Sequence, residues 1–301
     1  MAATKTRTNP ALGYWNDKAQ FFASGKRRQK NRRMADLYEN GCWRYIEPLL
    51  PVKEGGTILE AGCGTGRWVF RLAPMGYTLE LADFSDEMIR HAEVLVNQQG
   101  LGESVTNYHV LDICDMAALG DNAFDLVLAL GMPLSLCSDP NQAVSELSRI
   151  TKPGGHVVCD TMNRFRRALD LAKKNDMTQF LTVLNNGKVV ADSGLTHYCF
   201  GPEELEALFR EQGLTPCKTA AITPFLEHPP STKQVKILDD DQMFNQLDKA
   251  FQTVAEEPWV LGLTSRLLMV AQKPNLDKPE PKEQENPREE AKKLKTGNHP
   301  S

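Results

Sequence analysis

Between residues 57 and 160 the chain alternates short apolar runs with segments of helical periodicity. The runs are Ile58-Leu59, Thr78 to Asp83, Val110 to Ile113, Phe124 to Gly131 and His156 to Asp160, and the fourth is apolar almost without a break. That is the pattern of a strand covered on both faces. Between the runs, Met88, Ile89, Ala92, Leu95 and Val96, and later Ala143, Val144, Leu147 and Ile150, recur at the three- and four-residue spacing of a helix with one buried face. Ser85 stands as an N-cap before Asp86 and Glu87, Asp139-Pro140 opens another helix, and Lys152-Pro153-Gly154-Gly155 turns out of it. This order predicts an α/β fold, a doubly wound, mostly parallel sheet with helices on both faces.

On either side of this region the pattern changes. Residues 1–50 are polar to Pro10, then carry Tyr14-Trp15 and Phe21-Phe22 at helical reach, a second apolar face from Leu37 to Leu50, and between them Lys26 to Arg33, with six basic residues in eight. Residues 161–196 read as an insertion, helical from Phe165 to Leu184 with a turn at 185–187. A helix opened by Pro202 and ended at Gly213 follows, then two final strands at 214–226 and 265–272, separated by an amphipathic helix over 239–257 with Met243, Leu247, Phe251 and Val254 inward. The main domain is therefore expected over 51–273. From Pro274 the chain is proline-punctuated and charged, a composition that cannot bury enough apolar area to order itself, so 274–301 reads as a disordered tail.

The candidate chemistry starts at Glu60-Ala61-Gly62-Cys63-Gly64-Thr65-Gly66, where the first strand runs into a helix predicted over Arg67 to Leu72. Glycines there permit left-handed backbone and let a ligand approach, while the free N–H groups of the helix start face the same loop. The dinucleotide fingerprint G-x-G-x-x-G would need glycine at 67, where this chain has Arg67. Asp83, seventeen positions after Gly66, ends the second strand near the spacing at which a carboxylate meets a ribose.

With 301 residues and 41% hydrophobic content, the chain can bury one large core with appended pieces. A net charge of -4 argues against a surface devoted to nucleic acid and leaves residues 26–33 as the one local phosphate-binding candidate, against a solvated helix face. No apolar run approaches the roughly 18 residues of a membrane span, and the first residues lack a signal-like stretch, so a cytoplasmic setting without a membrane partner is expected. Seven scattered cysteines with no C-x-x-C suggest reduced thiols and no metal site.

The E-x-G-x-G-x-G run from Glu60 to Gly66, the acidic ends at Asp83 and Asp112, and the helix, Lys-Pro-Gly-Gly turn and strand to Asp160 resemble class I S-adenosylmethionine (SAM) dependent methyltransferases of the methyltransferase-11/25 type. The resemblance implies SAM as cofactor and a Rossmann-like sheet of seven strands with an antiparallel last strand. Glu60 would hold the methionine amino group, and Gly62, Gly64 and Gly66 would cradle the methionine part. Asp83 and Phe84 would meet the ribose, Asp112 and Ile113 the adenine, and Leu130 and Met132 would lie beside the transferred methyl. It further implies that residues 1–50 form a lid, that 161–196 cover the pocket, and that Tyr14, Trp15 and Tyr198 line it.

Methyl transfer needs a nucleophile held in line and water kept out, and a hydroxyl or carbon acceptor also benefits from a base. His197, beside Tyr198 just after the insertion, is the candidate for that base. The expected activity is SAM-dependent methylation of a small-molecule acceptor at oxygen, nitrogen, sulfur or carbon. Two alternatives stand beside it. The elements after residue 197, ending in Ala271-Gln272-Lys273-Pro274, also look like methyltransferases that esterify a carboxymethoxy-uridine in transfer RNA, with residues 26–33 on phosphates. The other is a non-catalytic SAM-binding regulatory subunit, against which the intact loop speaks.

Overall fold

The computed structural model describes residues 10–25, 32–52, 55–226 and 231–275. Helices α1 (Pro10–Ala23) and α2 (Arg32–Ile46) precede β1 (Ile58–Ala61), α3 (Val69–Leu72), β2 (Leu79–Asp83), α4 (Asp86–Gln98), β3 (Val105–Val110) and β4 (Phe124–Ala129). Then come α5 (Pro133–Leu136), α6 (Pro140–Ile150), β5 (Thr151–Asn163), α7 (Arg164–Lys173), α8 (Met177–Asn186), β6 (Lys188–Val190) and β7 (Thr196–Phe200). The chain continues through α9 (Pro202–Glu211), β8 (Thr215–Ile222), α10 (Thr232–Leu238), α11 (Asp241–Val254) and α12 (Pro258–Leu261) to β9 (Arg266–Gln272).

The first five strands pair in parallel in the order β3-β2-β1-β4-β5. β9 then inserts antiparallel between β5 and β8. Because β9 runs backwards, its first residue, Arg266, pairs with Met162 and Ile222 at the carboxyl ends of its neighbours. These are the seven strands expected from the sequence. Two more follow at the end of the insertion and just beyond it: β6 and β7 form a hairpin, and β7 pairs in parallel with Met162 and Asn163 at the tip of β5, giving nine among the described residues.

Both faces of the sheet are covered, which is why the β4 run shows no clean alternation. Ile58, Leu81, Leu126 and Leu128 pack with Cys42, Trp43 and Ile46 of α2 and with Val69, Leu72, Ala92 and Val96. Leu59, Val127, Ala129 and Val157 pack on the other side with Ala143, Val144 and Leu147 of α6 and Leu205 and Phe209 of α9. Each fully buried side chain of this size contributes about 1.5–3 kcal/mol. Trp43 stacks on Trp68 at 6.5 Å, tying α2 to the turn after β1.

Several elements differ from the sequence reading. α2 carries the buried Leu37 and Ile46 and forms part of the core, so among the described residues of 1–50 it is α1 that lies over the ligand side. The helix expected from Arg67 begins at Val69 and lasts one turn. Thr151 pairs with Phe124 and His156 with Leu126, so the Lys-Pro-Gly-Gly turn loops out as a bulge in β5. The insertion helix is broken at Asn175, whose φ is 58°. On α11 the buried residues are Phe244 and Phe251, whereas Met243 is exposed, one residue off the expected face. The basic run lies mostly outside the described residues, but Arg32 and Arg33 lie within them and pair with Asp36 and Asp241. The tail from 276 also lies outside them. Among the described residues no helix is long and apolar enough to cross a membrane.

Candidate active site

The loop after β1 is pinned where it begins: the N–H groups of Gly62 and Cys63 both donate to the Ala82 carbonyl, at 2.8 and 3.0 Å. Gly62 and Gly64 have φ of 68° and 55°, where a side chain is strained. They serve different ends. A Cβ on Gly62 would sit 2.8 Å from Pro133, whereas one on Gly64 would meet nothing within 4 Å and would point into open space. That space is a cavity of about 520 Å³ at the carboxyl ends of the parallel strands, where open α/β sheets bind ligands.

Three carboxylates from successive strands face this cavity. Glu60, only 1% exposed, accepts a 3.3 Å hydrogen bond from the Trp68 N–H. Burial pushes its carboxyl up to about 8, and the Trp68 N–H and the Arg67 guanidinium pull it only part of the way back. Asp83 ends β2 and accepts from the N–H groups of Gly64 at 2.8 Å and Ser85 at 3.0 Å. Burial raises its carboxyl too, opposed by these N–H groups and that of Phe84. Asp112, just past β3, accepts from the Cys114 N–H at 2.9 Å. Phe84 and Ile113 add apolar wall beside their acidic neighbours.

Leu130, Gly131 and Met132 carry the wall past the end of β4. Met132 has φ of 73°, costly for a side chain of this kind, and Gly131 has 102°. Asp160 holds the turn: its Oδ1 accepts from the Gly131 and Met132 N–H groups at 2.7 and 2.8 Å. Its Oδ2 accepts from Arg266 at 2.8 Å and from the Tyr38 hydroxyl at 3.2 Å. Neither Asp160 nor Arg266 is among the site residues expected from the sequence. The signal for Asp160 was there, a carboxylate at the end of a buried strand; Arg266 had none, because only the reversed direction of β9 brings it to the ligand side.

From above, α1 presents Ala11, Trp15 and Phe22, and the hairpin side presents Leu195, Thr196 and Tyr198. α1 is tied to the α4 N-terminus by Asn16, which donates to Asp86 at 3.0 Å and accepts from the Ser85 hydroxyl at 2.6 Å. Tyr198 donates its hydroxyl to the Ser138 carbonyl at 2.9 Å.

Three predicted site residues fall elsewhere. Gly66 turns back toward Leu81 and Ala92 and serves packing of the helix on the sheet. Tyr14 braces Trp15 edge to face at 5.2 Å and is not part of the wall. His197 is a correction of principle: on β7 successive side chains point to opposite sides, so Thr196 and Tyr198 face the cavity and His197 faces away. Burial and the nearby Arg167 lower its pKa there. Among the described residues no histidine lines the cavity, and no group of three or more His, Cys, Asp or Glu is placed to hold a metal ion.

The residues fit the cofactor implied by the sequence. Glu60, a buried acid that forms no ion pair among the described residues, suits an ammonium group, and Asp83, whose carboxylate keeps acceptor capacity beyond the loop N–H groups, suits hydroxyls. The methyltransferase-domain family model matches residues 59–159. The chain is similar to demethylmenaquinone methyltransferase of Bacillus velezensis, 31% identical over 192 residues that cover 58% of this chain and 78% of that one. It is similar also to malonyl-acyl-carrier-protein O-methyltransferase of Buchnera aphidicola, 35% identical over 106 residues covering 35% of this chain, and it spans about two fifths, 39%, of that relative's length. A solved SAM-dependent methyltransferase from Methanosarcina mazei shares the fold, with a TM-score of 0.55 at 19% identity over 77% of this chain and 97% of that one.

Proposed function

The chain belongs to the class I SAM-dependent methyltransferases, and from that premise we propose that it methylates a small-molecule acceptor held between α1, the turn after β4 and the β6–β7 hairpin. The observation that carries this reading is the row of Glu60, Asp83 and Asp112 around one glycine turn, at or just beyond the ends of three parallel strands. Glu60 would hold the amino group of SAM, Asp83 the ribose hydroxyls, and Asp112 with Ile113 the adenine. When bound, SAM supplies an electrophilic sulfonium methyl.

The chain's own task is then to orient the acceptor and keep water out. Trp15 and Phe22 of α1 close the apolar side, and Asp160 fixes the Gly131-Met132 turn that flanks the acceptor region. The relatives' printed names, a demethylmenaquinone methyltransferase and a malonyl-carrier O-methyltransferase, support an organic acceptor. The acidic net charge supports it over transfer RNA.

The test is methyl transfer from isotopically labelled SAM into a cell extract separated into small-molecule, RNA and protein fractions. Label in small molecules is expected. Label confined to RNA would overturn the acceptor class and revive the transfer-RNA reading.

A further inference from the structure

Arg266 is a largely covered cation with more donors than protein acceptors. Its side chain is 12% exposed, and it forms part of the cavity wall. A guanidinium carries five N–H donors in a planar fork. Among the described residues its side chain has one hydrogen bond, from Nη1 to Asp160 Oδ2 at 2.8 Å. Asp160 cannot take up the rest of the fork, because its oxygens already accept from Gly131, Met132 and Tyr38.

The Arg266 guanidinium lies over the Tyr38 ring, its Cζ 4.8 Å from the ring centroid. Arg67, also on the wall, lies 5.2 Å from the same ring. An Arg266 present only to neutralise Asp160 would need neither the free edge nor the opening to the cavity. The donors left without protein acceptors open to the cavity, and a planar oxyanion entering it would meet that fork in bidentate geometry. Asp160 offsets the Arg266 charge and Arg67 acts on Glu60, so what the cavity offers beside Tyr38 is one planar fork, a geometry that matches a carboxylate.

We infer that Arg266 is a carboxylate-binding residue of this cavity, gripping a carboxylate carried either by the acceptor or by the methionine end of the cofactor; the inference rests on the methyltransferase reading. Arg266 thereby links the ligand to the Gly131-Met132 turn through a single carboxylate, Asp160.

The test uses the full chain and Arg266→Lys, which keeps a positive partner for Asp160 but loses the fork. Calorimetry measures benzoate and benzamide with and without S-adenosylhomocysteine, and SAM against decarboxylated SAM, while thermal melting checks the variant's fold. A preference for benzoate over benzamide that falls about tenfold in Arg266→Lys, with S-adenosylhomocysteine affinity kept, assigns the site to the acceptor. A preference for SAM over decarboxylated SAM that the variant loses assigns it to the cofactor. The wild-type comparisons stand alone if the variant does not fold. The absence of both preferences, or a preference that survives in a folded variant, overturns the inference. Failure of the wild type to bind SAM or S-adenosylhomocysteine would instead overturn the cofactor reading, with benzoate against benzamide still reporting on Arg266.

Discussion

Glu60 should set opposite demands on stability and on cofactor binding, and pH separates the two. Its carboxyl sits at about 8 in the folded chain against an ordinary value of 4.5, chiefly through burial. At pH 7 about nine in ten unliganded molecules therefore hold the proton. Holding an ammonium group favours the ionised form, so binding S-adenosylhomocysteine at this pH releases a proton, and affinity should rise about tenfold from pH 6 to pH 7. The rise flattens toward pH 8, where Glu60 is ionised and the ligand's own amino group, with a reference pKa near 8, begins to lose its charge.

Stability runs the other way. The native state binds the proton more tightly than the unfolded chain, so stability falls as pH rises from 4.5 to 8, by up to about 5 kcal/mol. Glu60→Gln removes the titration, and its amide oxygen can still accept from the Trp68 N–H. Without ligand the variant should melt several degrees above the wild type at pH 8.5 and near it at pH 4.5, while binding S-adenosylhomocysteine more weakly and with little pH dependence below pH 7.5. Calorimetry and thermal melting across this range check both. A variant less stable than the wild type at every pH, or a wild-type affinity independent of pH, would refute the reasoning.

Asp83→Ala should weaken S-adenosylhomocysteine roughly 10–100-fold by calorimetry, the scale of losing hydrogen bonds to a charged group. Gly64→Ala should cost about 1 kcal/mol of backbone strain and reduce cofactor affinity, whereas Gly62→Ala, which meets Pro133 at 2.8 Å, should cost more stability in denaturant titrations. His197→Ala should leave the turnover number unchanged in the labelled-methyl assay, since its side chain faces away from the cavity; a fall of tenfold or more would return it to the chemistry. Cys114, pulled down to about 7 by its hydrogen bonds from the Cys137 thiol and the Ser138 hydroxyl, should be alkylated by iodoacetamide ahead of the other cysteines, with a rate that climbs through pH 7 and levels by pH 8. Peptide mapping identifies the site, and preferential labelling of Cys217 would contradict this.

Much of the cofactor side was legible because its residues are contiguous with the strand ends that place them. Glu60 and Asp83 sit at the last turns of apolar runs, and each lands on the cavity wall. The acceptor side was less legible. Tyr14 and Trp15 read alike, and only the angle at which α1 crosses α4 decides that Trp15 and Phe22 face inward. His197 and Tyr198 also read alike, and the register of a five-residue strand separates them, since a shift of one residue reverses every side chain. The three-residue β6 is too short to show a period at all.

The order of apolar runs and helical faces by itself determined a parallel doubly wound sheet, the glycine turn after its first strand and the carboxylates around it, because hydrophobic periodicity and backbone freedom act over a few neighbouring residues. Only the tertiary structure decided what stands opposite them. Arg266 reaches Asp160 across 106 positions of sequence because β9 enters the sheet reversed. Strand direction and pairing are settled by how the whole sheet buries its two faces, and no local pattern in the chain carries that information.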